Sequence, residues 1–235
     1  MKPVGIVQAT RTEGPGYFAT FLERKAVPST VLAMDAGDAV PKDPRSFSGL
    51  VFMGGPMSAN DDLPWIAPVL ALIRSAARDD VPTLGHCLGG QLISKAFGGV
   101  VTRNRVPEIG WGDVQVEDNG VARQWFGDDA GFESFHWHGE TFTIPPGATR
   151  VLSNPHCANQ GFALGKHLGL QCHVEMTEEM VQVWCRDGAG EIEQGRASPG
   201  VQPVEEIGRD LSGRLERLHQ VANRVYERWV EGLSR

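Results

Sequence analysis

The chain has 235 residues, of which 41% are hydrophobic and 22% are charged, and its formal net charge is −7. This is the composition of a globular protein, and the missing basic surplus argues against binding to nucleic-acid phosphates. No apolar run is long enough for a signal peptide or a membrane span, and four cysteines are too few for a disulfide scaffold, so we expect a reduced, cytoplasmic protein with no membrane partner.

Short apolar segments alternate with helix-like segments in the first hundred residues. Four segments read as buried parallel strands because they are nearly continuous in hydrophobic residues: 3–10, 29–35, 49–55 and 81–86. Apolar residues at helical spacing predict helices at 17–26 and 64–80, and a further helix follows residue 87 and ends at a glycine pair. Alternating strands and helices predict an α/β fold with a doubly wound, mostly parallel central sheet flanked by helices.

The second half of the chain has a different residue pattern. The segment from about 100 to 175 is rich in aromatic and turn-forming residues, and its apolar and polar residues alternate, which predicts strands and hairpins beside the main sheet. Residues 186–200 read as a polar connection, and the tail from Val204 carries apolar residues at steps of three and four. That spacing predicts one amphipathic helix, or two joined near Gly213. We expect a single domain over 1–235, with residues 200–235 as a helical extension packed on it.

The segment GHCLGGQ, residues 85–91, places a thiol between the fourth predicted strand and a predicted helix. A strand, a tight turn and a helix form a nucleophile elbow, in which small neighbours leave room for a strained backbone. The helix N-terminus would favour the thiolate form of Cys87, and its N–H groups could stabilise an oxyanion. The alternative from this segment alone is that Cys87 is a small buried hydrophobic residue.

The segment GLQCHVE, residues 169–175, contains the histidine that best suits a catalytic base. His173 follows a short apolar strand, Leu170–Cys172, and Glu175 comes two residues later. Residues two apart in an extended chain point the same way, so Glu175 could accept a hydrogen bond from the imidazole and fix its tautomer. The alternative is an ordinary histidine and glutamate at the end of a strand.

Together with FMGGPMS, residues 52–58, these segments resemble the motifs of the class I (triad-type) glutamine amidotransferases. In that family a G-x-C-x-G-x-Q elbow carries the nucleophile, and a G-x-Q-x-H-P-E segment carries the histidine and the glutamate. The resemblance covers roughly residues 45–185. It implies the flavodoxin-like fold of that family, with Cys87 as nucleophile, His173 as general base and acid, and Glu175 as the residue that orients His173.

The same resemblance implies further site residues. Backbone N–H groups of Gly54, Gly55 and Leu88 match the family's oxyanion hole. Gln91 matches the elbow glutamine that helps to bind the amino-acid end of the substrate. The segment FHWHGE resembles a family loop whose backbone contacts glutamine, which makes Trp137 and His138 candidates for substrate binding, although an aromatic strand packed beside the core explains them equally well.

The implied reaction is hydrolysis of the side-chain amide of glutamine through a γ-glutamyl thioester, with release of ammonia and glutamate. It needs no metal ion and no organic cofactor. The chain carries no synthetase domain, so a separate synthetase subunit is the expected partner. Two positions depart from the family motif: Val174 stands where proline is usual, and Cys172 stands where an aromatic residue is common. Neither change removes a catalytic group.

Three other functions remain open from the sequence. A stand-alone γ-glutamyl peptidase would use the same triad on a larger leaving group. A metal-binding or redox-sensing module could use His136 with His138, or the neighbouring pairs Cys172–His173 and His156–Cys157, but the compact spacing of zinc ligands does not occur. A catalytically silent binding protein would be expected to lose the nucleophile or the histidine, and both are present.

Overall fold

The computed structural model describes residues 2–234. The strands of this part of the chain are β1 (Val4–Gln8), β2 (Ser29–Ala33), β3 (Gly49–Phe52), β4 (Thr83–His86), β5 (Val101–Val116), β6 (Gly131–Phe142), β7 (Thr149–Ser153), β8 (Gly161–Leu164) and β9 (His167–Leu170). The helices are α1 (Gly16–Arg24), α2 (Ile66–Arg78), α3 (Leu88–Ala96), α4 (Gly120–Phe126), α5 (Glu178–Asp187), α6 (Ala189–Gly195), α7 (Val204–Ile207) and α8 (Leu211–Glu231), with a short 3-10 helix at Pro44–Ser46.

Within residues 2–234 the strands form one sheet in the order β2-β1-β3-β4-β9-β8-β7-β5-β6. The pairs from β2 through β9 are parallel, and the pairs from β9 through β6 are antiparallel. The parallel half contains the four strands predicted from the first hundred residues, and the antiparallel half contains the predicted hairpins. The α/β fold expected from the sequence is therefore confirmed.

Each face of the sheet is covered by its own hydrophobic core. One core joins the sheet to α1 and α8 through residues such as Phe18, Phe21 and Tyr226, and the other joins it to α2 and α3 through residues such as Ile73 and Leu92. Helices on both faces bury β1, β3, β4 and β9, which explains why those strands read as continuous apolar runs. The sequence predicted β2 as buried too, but β2 lies at the edge of the sheet and is exposed or half-buried. None of the helices within residues 2–234 is both long and apolar enough to cross a membrane.

Three local predictions differ from the structure. The segment predicted as a polar connection contains α6, which docks on the core through Ile192, 7% exposed. The strand before His173 ends at Leu170 and not at Cys172. The C-terminal helices separate at residues 208–210, where Asp210 has φ +50°, and not at Gly213, which lies inside α8. Glycine in the first turn of a helix is tolerated, whereas a left-handed residue interrupts it.

Candidate active site

Cys87 lies at the turn between β4 and α3, in a backbone conformation that few residues adopt. Its φ and ψ are +49° and −107°, and its N–H donates a 2.8 Å hydrogen bond to the carbonyl oxygen of Leu170 in β9. A non-glycine residue in such a region costs about 1–3 kcal/mol, and such strain is concentrated at functional sites. The turn therefore has the geometry of a nucleophile elbow tied to the neighbouring strand.

Two glycines of the elbow allow the chain segments around Cys87 to approach closely. A Cβ added to Gly89 would collide with the carbonyl oxygen of Phe52 in β3, and one added to Gly90 would collide with the carbonyl oxygen of Leu170 in β9. The first turn of α3 thus packs directly on the backbones of the strands on either side of β4. Any side chain at these positions would push the helix, and Cys87 with it, away from the sheet.

His173 and Glu175 lie just beyond the end of β9, beside the elbow. The backbone of His173 is fixed by a bridge to Phe135 in β6, with a 2.8 Å hydrogen bond from its N–H to the Phe135 carbonyl oxygen. Its Nδ1 lies 2.6 Å from Oε1 of Glu175, and the other carboxylate oxygen of Glu175 lies 3.0 Å from Nδ1 of His86. His173 and Glu175 are each 1% exposed. Glu175 is therefore buried between two imidazoles.

The charges of this cluster determine its protonation. Burial alone would disfavour the charged form of His173, but the neighbouring charges of Glu175 and Cys87 outweigh it and hold the pKa of His173 well above its usual value. Burial also opposes ionisation of Glu175, yet His86 and His173 hold the pKa of that carboxyl far below its usual range. The arrangement favours an imidazolium–carboxylate pair beside a thiol.

The loop after β3 lies against both the imidazole and the start of α3. A Cβ on Gly54 would be 3.3 Å from Cε1 of His173, and a Cβ on Gly55 would be 2.8 Å from Cδ2 of Leu88. Among residues 2–234, the N–H groups of Gly54, Gly55 and Leu88 donate no hydrogen bond to another protein group. The sequence predicts these three N–H groups as an oxyanion hole, and the structure places the loop of Gly54 and Gly55 beside His173 and the side chain of Leu88.

The predicted substrate contacts are only partly brought to this site. The carbonyl oxygen of Trp137 lies 3.8 Å from Sγ of Cys87, so the backbone of β6, a strand where the family resemblance implied a loop, reaches the thiol. Gln91 is 4% exposed and donates a 3.2 Å hydrogen bond to Oε1 of Gln171. The imidazole of His138 instead contacts Glu108 at 3.1 Å, in a separate buried cluster.

Three neighbours of the site were missed by the sequence reasoning. Gln171 is fully buried and its Nε2 lies 3.5 Å from Sγ of Cys87, in position to donate to the sulfur. His86, the residue before Cys87, contacts Glu175 as described above. Gln171 lies in the segment GLQCHVE and His86 in the segment GHCLGGQ, so their positions in these motifs could have indicated that they lie near Cys87. Glu13, in the loop after β1, carries a carboxylate so close to Gly54 that a Cβ there would collide with it, and nothing in the surrounding sequence indicates this.

Comparison with known proteins identifies the family. A model of the class-I glutamine amidotransferase family matches residues 19–182, more than half of the chain. The chain belongs to the class I glutamine amidotransferases, as its motifs predict. A solved structure of a glutamine amidotransferase from Methylobacillus flagellatus is similar to it, with 48% sequence identity, a TM-score of 0.98, and coverage of 100% of this chain and 96% of that one.

Two curated relatives differ in the chemistry that their names describe. One, from Sulfolobus acidocaldarius, is named as a subunit of a glutamine-hydrolysing GMP synthase and is 29% identical over 145 residues, which is 60% of this chain and 74% of the relative. Gamma-glutamyl peptidase 3 from Arabidopsis thaliana is 27% identical over 146 residues, which is 59% of each chain. The first name describes hydrolysis of glutamine, and the second describes a γ-glutamyl peptidase.

Proposed function

We propose that this protein hydrolyses the side-chain amide of glutamine with Cys87 as nucleophile, His173 as general base and acid, and Glu175 as the residue that orients His173. The observation that carries the proposal is the strained turn at Cys87, joined by a backbone hydrogen bond to the strand that ends three residues before His173. The 2.6 Å contact between His173 and Glu175 supports the base–orienter half of the arrangement that acyl-transfer enzymes use.

In the proposed reaction the Cys87 thiolate attacks the amide carbon, a C–S bond forms, and the carbonyl electron pair moves onto oxygen. The N–H groups of Gly54, Gly55 and Leu88 donate to this oxyanion, and one such donor typically lowers the barrier by about 2.7–4 kcal/mol. His173 protonates the departing nitrogen as the C–N bond breaks, so ammonia leaves. His173 then takes a proton from water, which attacks the γ-glutamyl thioester and releases glutamate and the Cys87 thiolate.

Glutamine is the preferred substrate in this proposal, and a separate synthetase subunit would receive the ammonia. The relative from Sulfolobus acidocaldarius supports this view, because its name describes it as part of a glutamine-hydrolysing synthase. No cofactor is needed for the reaction. We also propose a cytoplasmic location, which is supported by the free state of all four cysteines, Cys87, Cys157, Cys172 and Cys185.

A second candidate is hydrolysis of γ-glutamyl amides whose leaving group is larger than ammonia. The relative named γ-glutamyl peptidase favours it. The acylation step is identical, because the thiolate attacks the same γ-carbonyl carbon and His173 protonates the departing nitrogen. The two candidates differ only in the space and contacts available to the leaving group.

The test is to measure glutamate release from glutamine and from γ-glutamyl dipeptides with the wild-type protein, Cys87→Ala and Cys185→Ala. Cys185 is a buried thiol on α5 and provides the matched control. We expect turnover and a trapped γ-glutamyl thioester on Cys87 in the wild type and the control, and neither in Cys87→Ala. Release that continues in Cys87→Ala would contradict the triad, and release from dipeptides alone would establish the second candidate.

A further inference from the structure

A second buried cluster of one carboxylate and two imidazoles lies on the β5–β6 hairpin. Its members are Glu108, His136 and His138, which are 3%, 1% and 6% exposed. Glu108 is paired with His138 across the two strands, and Gly110 with His136. Residues two apart on a strand share a face, and directly paired residues are neighbours across strands, so the pairing brings the three side chains together on one face of the hairpin.

The outward-facing nitrogen of each imidazole is fixed as a hydrogen-bond donor. Nδ1 of His138 lies 3.0 Å from the carbonyl oxygen of Glu140, and Nε2 of His136 lies 3.3 Å from the carbonyl oxygen of Gly112. A carbonyl oxygen can only accept, so each of these nitrogens carries the proton. In a neutral imidazole the opposite nitrogen then presents a lone pair, and in both residues that nitrogen faces Glu108.

The two inward-facing nitrogens are buried without a hydrogen-bond partner. Nε2 of His138 is 3.1 Å from Oε2 of Glu108, but the geometry of a hydrogen bond is not satisfied, and Nδ1 of His136 is 4.0 Å from Oε1. A lone pair aimed at a carboxylate is repelled by it, and a buried N–H without an acceptor leaves a donor unsatisfied. A cation bound to the two nitrogen lone pairs and the carboxylate removes this conflict, and any proton on an inward-facing nitrogen is released to solvent when the cation binds.

We propose that Glu108, His136 and His138 bind a divalent transition-metal ion of the zinc class. One ligand atom from each residue lies within 4.8 Å of the other two. Nitrogen and oxygen ligands about 2.0–2.2 Å from a tetrahedral zinc ion are ~3.4 Å apart, so shifts smaller than about 1 Å complete the site. Imidazole nitrogen favours zinc, cobalt, nickel or copper over magnesium and calcium, which prefer oxygen ligands alone. The fourth position would be taken by water.

The groups around the three ligands are those that metal ligands generally need. The carbonyl oxygens of Glu140 and Gly112 fix the tautomers of the two imidazoles. Nδ2 of Asn154 donates to Oε1 of Glu108 at 2.6 Å, and Nε2 of Gln160 donates to Oε2 at 2.8 Å, which fixes the carboxylate. Such outer partners orient metal ligands and tune their basicity. Because Asn154 and Gln160 flank the β7–β8 connection, the ion would tie the β5–β6 hairpin to the neighbouring part of the sheet.

The experiment uses the full chain, stripped with a chelator and titrated with Zn²⁺ in competition with a chromophoric chelator. Cys87 beside His173 is a second place where zinc could bind, so Cys87→Ala is titrated in parallel with the wild type. We expect one tightly bound equivalent in both proteins and a loss of affinity of more than ~100-fold in His136→Gln, beyond the 10–100-fold typical of outer-partner changes. His219→Gln, a half-buried histidine bonded to the Met176 carbonyl oxygen, is the matched control and should bind as the wild type does.

Tight binding that disappears in Cys87→Ala, or that survives unchanged in His136→Gln, would overturn the proposal, as would the absence of a tight site in the wild type. If circular dichroism shows that His136→Gln is unfolded, Co²⁺ added to Cys87→Ala decides the question. Visible d–d bands of a four-coordinate ion without a thiolate charge-transfer band support the proposed ligands. A thiolate charge-transfer band, or no spectral change, contradicts them.

Discussion

Two regions of this protein each bury one glutamate and two histidines, but the contacts of the glutamate carboxylate differ between them. Glu175 has its two oxygens in contact with His173 and His86, at 2.6 and 3.0 Å. Glu108 has one close imidazole, with Nε2 of His138 3.1 Å from its Oε2, and it also accepts hydrogen bonds from two neutral amides, those of Asn154 and Gln160. Neutral donors stabilise a buried carboxylate without supplying positive charge, so they lessen its need for an imidazolium partner.

The pKa values follow this difference. Beside Glu175, neighbouring charges outweigh burial, and the pKa of His173 is well above its usual value. Beside Glu108, burial dominates and lowers the pKa of His136 to about 4, while the imidazoles and Asn154 outweigh burial to lower the pKa of Glu108 to about 2. Cys87, the proposed nucleophile, lies next to the first cluster. The first cluster suits proton transfer, and the second presents a neutral His136 nitrogen beside an ionised Glu108 oxygen, which suits a metal ion.

The largest expected difference between the clusters is in activity when each glutamate is neutralised. Glu175→Gln should lower kcat/KM for glutamine hydrolysis by roughly 10³- to 10⁴-fold, because the amide can favour the wrong tautomer of His173 and no longer stabilises its imidazolium. Glu108→Gln should lower it by less than about 10-fold if the hairpin stays folded. Steady-state kinetics measure both, and circular dichroism verifies folding. Equal losses would show that the two carboxylates do not differ in role.

A smaller loss of activity is expected when His86 is replaced. Nδ1 of His86 lies 3.0 Å from Oε2 of Glu175, the carboxylate oxygen that does not contact His173. The 3.0 Å contact lacks the geometry of a hydrogen bond, so the contribution of a charge-assisted bond, about 1.5–3 kcal/mol, is an upper limit, and His86→Leu should lower kcat by at most roughly 10- to 100-fold with little change in KM. His86→Gln keeps a donor and should recover part of the loss. His136→Gln, the corresponding change in the second cluster, should leave kcat nearly unaltered. A change in KM alone at His86 would contradict a positioning role.

The sequence predicted the grouping of His173 with Glu175 near Cys87. In the second cluster it predicted only the pair His136 and His138 and missed Glu108, for a physical reason. Cys87, His173 and Glu175 lie at strand ends, where a turn, glycines and two-residue spacing leave local marks. Glu108 meets His136 and His138 only through pairing across the hairpin, with a register shift between Arg103 and Glu108 that no local pattern reveals. For the same reason His138 was expected at the substrate, whereas its imidazole lies in the second cluster.

Local composition also misled one assignment of secondary structure. The segment containing α6 is polar and rich in glycine, which favours a loop, and only Ile192 is buried by the helix. Tertiary contact outweighs weak helix propensity there. The parallel strands, in contrast, were predicted within a few residues, because burial on both faces demands unbroken apolar runs.

The smallest of the expected effects concerns Glu13, a second carboxyl group beside the triad that has no counterpart beside Glu108. Burial, together with the negative charges of Glu175 and Glu191, raises its pKa from 4.5 to about 7 despite the opposing influence of His173. Between these values the folded protein binds more protons than the unfolded chain, so its stability falls as the pH rises from 4.5 through 7. Glu13→Gln cannot ionise and should lack this loss.

Urea unfolding of the wild type and Glu13→Gln between pH 4.5 and 8 measures the difference, and contributions of all other groups largely cancel. Across this range the free energy of unfolding of the variant should rise by about 2 kcal/mol relative to that of the wild type. This is less than the pKa shift multiplied by about 1.36 kcal/mol per unit, because Glu13 is partly exposed and solvent screens its charge. Glu117→Gln, a carboxylate paired with Arg150 far from the triad, is the control and should show no such gain. If the difference in free energy of unfolding between the wild type and Glu13→Gln stays constant with pH, Glu13 ionises as an exposed glutamate does. In that case the surroundings of the triad shift the pKa of Glu175 but not that of Glu13.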